Sequence, residues 1–120
     1  MSQSLFEKYG GFATVSRIVS AFYEEVLDSD SLSPYFEGMD MRRLVDHQTK
    51  FIASIMGGPA SFSNEALERA HARLGIRGEH FDEAVGLLKF TLEDFALEEG
   101  DISMIINDVA GRRRYIVRQP

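Results

Sequence analysis

The chain has 120 residues, a formal net charge of −6, 44% hydrophobic residues, nine Phe, no Trp and no Cys. That length suits one domain with one core, so a single domain over residues 1–120 is expected. The lack of cysteine excludes disulfides, zinc–thiolate sites and thiol nucleophiles. The acidic balance argues against nucleic-acid binding, because only Arg112-Arg113-Arg114 is locally basic and it reads as a solvated helix end. No apolar run nears the roughly 20 residues that span a bilayer, and the first residues carry no charged-then-apolar leader pattern, so a cytoplasmic, membrane-free protein is expected.

Ser4-Leu5-Phe6-Glu7 is a Ser-x-x-Glu capping box opening a very short helix that Gly10-Gly11 ends. From Ala13 to about Leu27, the positions Val15, Ile18, Val19, Phe22 and Val26 trace one face of an amphipathic helix with Tyr23 on its shoulder. The turn formers from Asp28 to Pro34 stop it, and Tyr35-Phe36-Glu37-Gly38 reverses the chain with two aromatics tucked inward. Asp40 reads as the N-cap of a helix to about Met56, in which Leu44, Gln48, Phe51 and Ile55 form the stripe and His47 and Ile52 its shoulders.

Gly57-Gly58-Pro59 breaks that helix, and Ala60 to Asn64 is a loop before a short helix carrying Leu67, His71 and Leu74. Gly75-Ile76-Arg77-Gly78 follows, then a helix with Phe81, Val85, Leu88, Leu92 and Phe95 running through about Leu97, with His80 solvated at its polar start. After Gly100-Asp101 a last helix keeps its period from Ile102 through Ile116. No strand pattern or repeat stands out, and the class is all-α.

Two polar residues sit where the periodicity calls for apolar ones. His71 falls at i+4 from Leu67, facing inward, where its nitrogens need partners or one of them takes a metal; an ordinary core histidine is the competing reading. Gln48 lies mid-stripe, and burying an unpaired amide costs about 1–3 kcal/mol, so it has either a structural partner or a polar ligand to face. An apolar slot with one strong ligand on one wall and a few polar groups on the other is what a haem requires. The sequence contains no GxGxxG, P-loop, GxSxG or HExxH motif.

In this order and spacing, Leu5-Phe6-Glu7-Lys8-Tyr9-Gly10-Gly11, Phe22-Tyr23-Glu24-Glu25-Val26-Leu27, Tyr35-Phe36, His47-Gln48-Thr49-Lys50-Phe51, Gly57-Gly58-Pro59, Ala70-His71 and His80-Phe81 resemble the truncated, 2-on-2 haemoglobins, most like group I. The resemblance covers the chain to about Val109 and implies a compressed globin fold, two helix pairs sandwiching a haem. It further implies His71 as proximal iron ligand, Phe36 as the aromatic packed on the porphyrin, and Tyr23 with Gln48 as the pair that holds the gas ligand. Leu44 stands where many globins place a distal histidine. By the same analogy Phe51, Phe62, Leu67, Phe81 and Ala84 line the haem, and Lys50 and Arg73 pair with its propionates. Some relatives bond a haem vinyl through a C-terminal histidine, but Arg112-Arg113-Arg114-Tyr115 offers none, so haem b bound without a covalent link is expected.

The function so implied is reversible O2 binding or transport, with NO and CO as further ligands. Dioxygenation of NO to nitrate, a nitric oxide detoxification that would need an external, unidentified reductase, is its extension. The alternative is a hexacoordinate bis-histidyl protein for electron transfer or gas sensing, with His47 as a second, distal iron ligand. A third reading is a haem-free helical interaction module. A monomer or weak dimer is expected.

Overall fold

In the computed structural model, which describes residues 3–59, 63–72 and 74–117, helices meet at the breaks where the apolar period changes. The capping box closes as expected: Ser4 Oγ accepts from the Glu7 amide at 3.1 Å, and the Glu7 carboxylate accepts from the Ser4 amide at 3.4 Å, opening α1 (Leu5–Lys8). The second helix, α2 (Gly11–Asp28), begins two residues before Ala13 because Gly10, at φ +103°, makes its turn immediately ahead of it. A 3-10 turn (Ser33–Phe36) leads to α3 (Met41–Ile55), whose N-cap Asp40 accepts from the Arg43 amide at 3.3 Å. Then come α4 (Asn64–His71), α5 (Gly78–Asp94), α6 (Glu99–Ala110) and a single turn, α7 (Arg113–Ile116). No sheet forms among the described residues.

Two differences from the expected boundaries have local causes. α5 ends at Asp94 rather than near Leu97, because Ala96 turns the chain with a left-handed φ of +61°, a place where a glycine is the usual residue. At the other end, Gly100 lies inside the first turn of α6 and Gly111 closes that helix, so Ile116 continues the core but not the same helix.

Two helix pairs form a sandwich: α2 packs on α3, α5 packs on α6, and the two pairs meet where α2 crosses α5. Val15 and Ile18 from α2, Leu92 from α5 and Ile105 from α6 are fully buried. The short α4 rests on α7. α1 is held at both ends of its single turn. The Phe6 amide donates to the Met56 carbonyl at 2.9 Å, and Lys8 and the Tyr9 hydroxyl both donate to Asp101 on α6, at 2.8 and 2.5 Å. The glycine break after α3 makes this docking possible. Gly57 has φ +85°, and a Cβ on Gly58 would stand 2.8 Å from the Phe6 ring and 3.0 Å from the Ala53 carbonyl. No described helix is long and apolar enough to cross a membrane.

Two substitutions at these turns should move stability in opposite directions. Gly58→Ala, meeting a ring and a backbone oxygen, should cost about 1–3 kcal/mol. Ala96→Gly, relieving a left-handed alanine, should add up to about 1 kcal/mol. Urea unfolding of both variants reads the difference; equal midpoints would contradict the packing described.

Candidate functional site

Between the two helix pairs lies a cleft of about 930 Å3, counting the part open to solvent. Its walls are almost wholly apolar. Val19, Phe22 and Val26 come from α2, Phe51 and Ile52 from α3, Leu67 from α4, Phe81, Ala84, Val85 and Leu88 from α5, and Val109 and Ile116 close the far end. Against this background each polar group is conspicuous.

His71 is the last residue of α4 and faces the cleft, half-buried. Its Nδ1 lies 2.8 Å from the carbonyl of Leu67, one turn back. A carbonyl only accepts, so Nδ1 carries the proton and donates, leaving Nε2 with a free lone pair. Burial lowers the His71 pKa, the Leu67 carbonyl opposes this, and the field of His47 lowers it further; the net direction is down. The imidazole is therefore held neutral, which is its metal-binding form. Among the described residues no group of three or more His, Asp or Glu could hold a bare ion. A metal that brings most of its own ligands, as in a tetrapyrrole, needs only the one that His71 offers.

Tyr23 and Gln48 also face the cleft, from α2 and α3. The Tyr23 ring is clamped edge-on by Phe22, at 4.9 Å between centroids, and by Phe36, at 5.7 Å. Its hydroxyl bonds no other described residue, and no described polar side-chain atom is sealed in without a partner, so it opens onto free space. Burial pushes the Tyr23 pKa up, which keeps the phenol protonated and a donor. The Gln48 amide likewise has no partner among the described residues. Two unpartnered donors in an apolar cleft fit a small polar ligand between them. The cleft, the free Nε2 and the two donors together fit a haem with a gas on one side.

The sequence-named residues divide into three groups. His71, Tyr23, Gln48, Phe36, Phe51, Leu67, Phe81 and Ala84 line one cleft together. Three from α3 do not: Leu44 is half-buried against the core, His47 is exposed, and Lys50 is exposed and paired with Asp46 at 3.5 Å. Phe62 and Arg73 lie outside the described residues. Tyr23 is 8% exposed, a core position rather than a helix shoulder, because the 3-10 turn brings Phe36 over it.

Two readings need correction. His80 is not solvated: it is half-buried, lines the cleft, and its Nδ1 lies 2.5 Å from the Tyr35 hydroxyl. In the arginine run Arg113 and Arg114 are exposed, but Arg112 is half-buried. Arg112 stacks over the ring of Phe51 and donates to Asp108 at 2.7 Å and to Asn64, the first residue of α4, at 3.1 Å. Arg113 stacks over Phe81 and pairs with Asp82. Both lie over rings that line the cleft, which no feature of the run itself signals.

The bacterial-like globin profile matches residues 4–117. A group 1 truncated hemoglobin of Synechocystis sp. is 34% identical over 112 residues, covering 90% of each chain. The chain belongs to the truncated haemoglobins. The truncated hemoglobin of Tetrahymena pyriformis in its Fe(III) form superposes with a TM-score of 0.87 at 25% identity, covering 98% of this chain and all of that one. The 2/2 hemoglobin of Synechococcus sp., solved in the cyanomet state with covalently attached heme, gives 0.87 at 28% identity over 96% of this chain and 98% of its own. Membership of this family implies haem-based binding of small gases.

In this truncated haemoglobin the lowered pKa of His71 has a thermodynamic sign. The neutral ring contributes stability that is fully present above the ordinary value of 6.5 and is lost as pH falls through the lower folded value. Without metal, the wild type should therefore lose stability relative to His71→Gln between about pH 8 and about pH 5 in urea titrations. Parallel curves would mean that the ring is not held neutral.

Proposed function

We propose that the chain binds haem b without a covalent link, with His71 as proximal iron ligand, and that it binds O2 reversibly. The observation that carries this reading is the Nδ1-to-carbonyl bond of His71, which leaves Nε2 free at the wall of an apolar cleft. The cofactor supplies a ferrous centre that takes a diatomic gas. His71 fixes the iron from one side and, through the Leu67 carbonyl, has its ring orientation set. Phe36 and Phe81 would offer apolar contact to a porphyrin.

On the same reading Tyr23 and Gln48 select the ligand. Both are donors aimed into the cleft, so they favour O2, which develops negative charge when bound, over CO, which develops little. The apolar Leu44 adds no hydrogen bond of its own. Dioxygenation of NO would use the same pocket and would require electrons from a separate reductase. No lysine or arginine stands in the described lining, so Lys50 would have to turn away from Asp46 to meet a propionate.

The bis-histidyl alternative has one observation in its favour, that the field of His47 reaches His71. Against it, His47 is exposed and Gln48 holds the cleft-facing place beside it, so ligation would require α3 to rotate or slide. We therefore assign the ferrous resting state a single histidine ligand.

Absorption spectra test both assignments. His71→Ala should lose haem or its imidazole-ligated spectrum, whereas His47→Ala should leave a high-spin ferrous spectrum unchanged. Conversion from low to high spin in His47→Ala would establish the bis-histidyl form instead.

Stopped-flow ligand release tests the distal pair. Tyr23→Phe and Gln48→Leu should each speed O2 dissociation about ten- to a hundredfold, the equivalent of about 1.5–3 kcal/mol for a charge-assisted bond, with little effect on CO. Unchanged O2 release in both would remove the pair from this role.

A further inference from the structure

One polar pair in the cleft is not used by gas binding. Tyr35 and His80 both line it, on the 3-10 turn and the first turn of α5, with ring centroids 5.4 Å apart. The Tyr35 oxygen accepts from the Arg77 amide at 3.3 Å and lies 2.5 Å from Nδ1 of His80. In the His80 tautomer with its hydrogen on Nε2, the Tyr35 hydroxyl donates to Nδ1 while its oxygen accepts from the Arg77 amide. One turn along α5, the carboxylate of Glu83 accepts from Ser29 at 2.6 Å and from Ser31 at 2.5 Å. Its pKa is lowered chiefly by these two bonds and in smaller part by His80, so a fixed negative charge stands within reach of that imidazole.

A phenol gives up one electron readily only if its proton leaves at the same time, since the protonated radical is a very strong acid. A short hydrogen bond to an imidazole nitrogen provides that route. We propose that Tyr35 and His80 form a proton-coupled redox site beside the cofactor cleft, through which oxidising equivalents from a hydroperoxide are passed to Tyr35. This rests on the haem reading for its natural oxidant. Two electrons and two protons convert a hydroperoxide to an alcohol and water, or hydrogen peroxide to two waters, so its reduction by the haem-loaded protein would leave the protein two oxidising equivalents. Tyr35 would answer one of them: its O–H bond breaks, one electron leaves the ring, and the proton passes to Nδ1 of His80. A neutral phenoxyl radical and an imidazolium remain. A small external reductant, such as ascorbate, restores the phenol by giving back one electron while His80 returns the proton.

The other tyrosines lack one half of this arrangement. Tyr23 faces the cleft but has no proton acceptor among the described residues. Tyr9 donates to Asp101 on the far side of α1, outside the cleft lining. Tyr115 accepts from Arg114, and a cation on the oxygen opposes loss of an electron.

Freeze-quench electron paramagnetic resonance of the haem-loaded ferric protein mixed with hydrogen peroxide tests the site. A phenoxyl signal should form in the wild type and in Tyr115→Phe, vanish in Tyr35→Phe, and fall at least severalfold in His80→Gln, whose amide can accept a hydrogen bond but not a proton. Persistence of the wild-type signal in Tyr35→Phe would overturn the proposal. A second arm needs no haem chemistry: flash-generated ruthenium(III) trisbipyridine oxidises the same proteins as purified. Tyr35 should then be oxidised more slowly in D2O than in H2O, and more slowly still in His80→Gln. A Tyr35 radical in the flash arm alone would uphold the pair and overturn its link to the cofactor; none in either arm overturns both.

Discussion

The chemistry available to the cleft depends on the 2.8 Å hydrogen bond between Nδ1 of His71 and the Leu67 carbonyl. Without it the imidazole would have two equivalent tautomers and a free torsion, and Nε2 would point at the cleft only part of the time. With it, an eight-residue helix presents one lone pair in one direction. A helix of that length is marginal by itself, so its orientation must come from tertiary contacts. Ser63 caps it, accepting from the Ala66 amide at 3.0 Å. α7 lies against it, and Arg112 ties its first residue, Asn64, to α6 through Asp108. The arginines at the end of the chain thus bear on the geometry of a histidine forty residues earlier.

The opposite wall follows a different rule. On α2 and α3 the apolar surface is continuous except at Tyr23 and Gln48, and both are left without partners among the described residues. Buried polar groups in a finished core are bonded. Their openness is the local inconsistency that a ligand would resolve, and it contrasts with the buried Thr49 and Thr91, which satisfy themselves on the carbonyls of Val45 and Leu87 at 2.7 and 2.8 Å. Buried polarity alone is no mark of function; a donor aimed at empty space is.

Much of this was legible in the chain. The capping box at Ser4, the N-cap at Asp40 and the glycine break at Gly57-Gly58 each set a helix boundary through a side-chain or backbone demand that a short window carries. Helical periodicity placed His71 and Gln48 inward correctly, since one stripe on one helix decides that. It failed where two elements decide together. Leu44 is in phase with Gln48, but lies one turn beyond the edge of the cleft, which Ile52 borders instead. Ala96 turns left-handed with no glycine to announce it. Tyr35 and His80 are 45 residues apart, on a turn and on the polar start of a helix, and neither position carries a local sign of the other. The arginine run looked solvated because the rings it covers belong to α3 and α5.

The proposed binding of haem iron by Nε2 of His71, with the ring fixed by Leu67, has a direct spectroscopic signature. Resonance Raman spectra of the ferrous, ligand-free protein report the iron–imidazole stretch directly, and a cavity variant isolates its source. His71→Gly should lose that band together with most of the haem, and added imidazole should restore both by entering the space left by the side chain. An unchanged wild-type band in His71→Gly without imidazole would contradict the assignment.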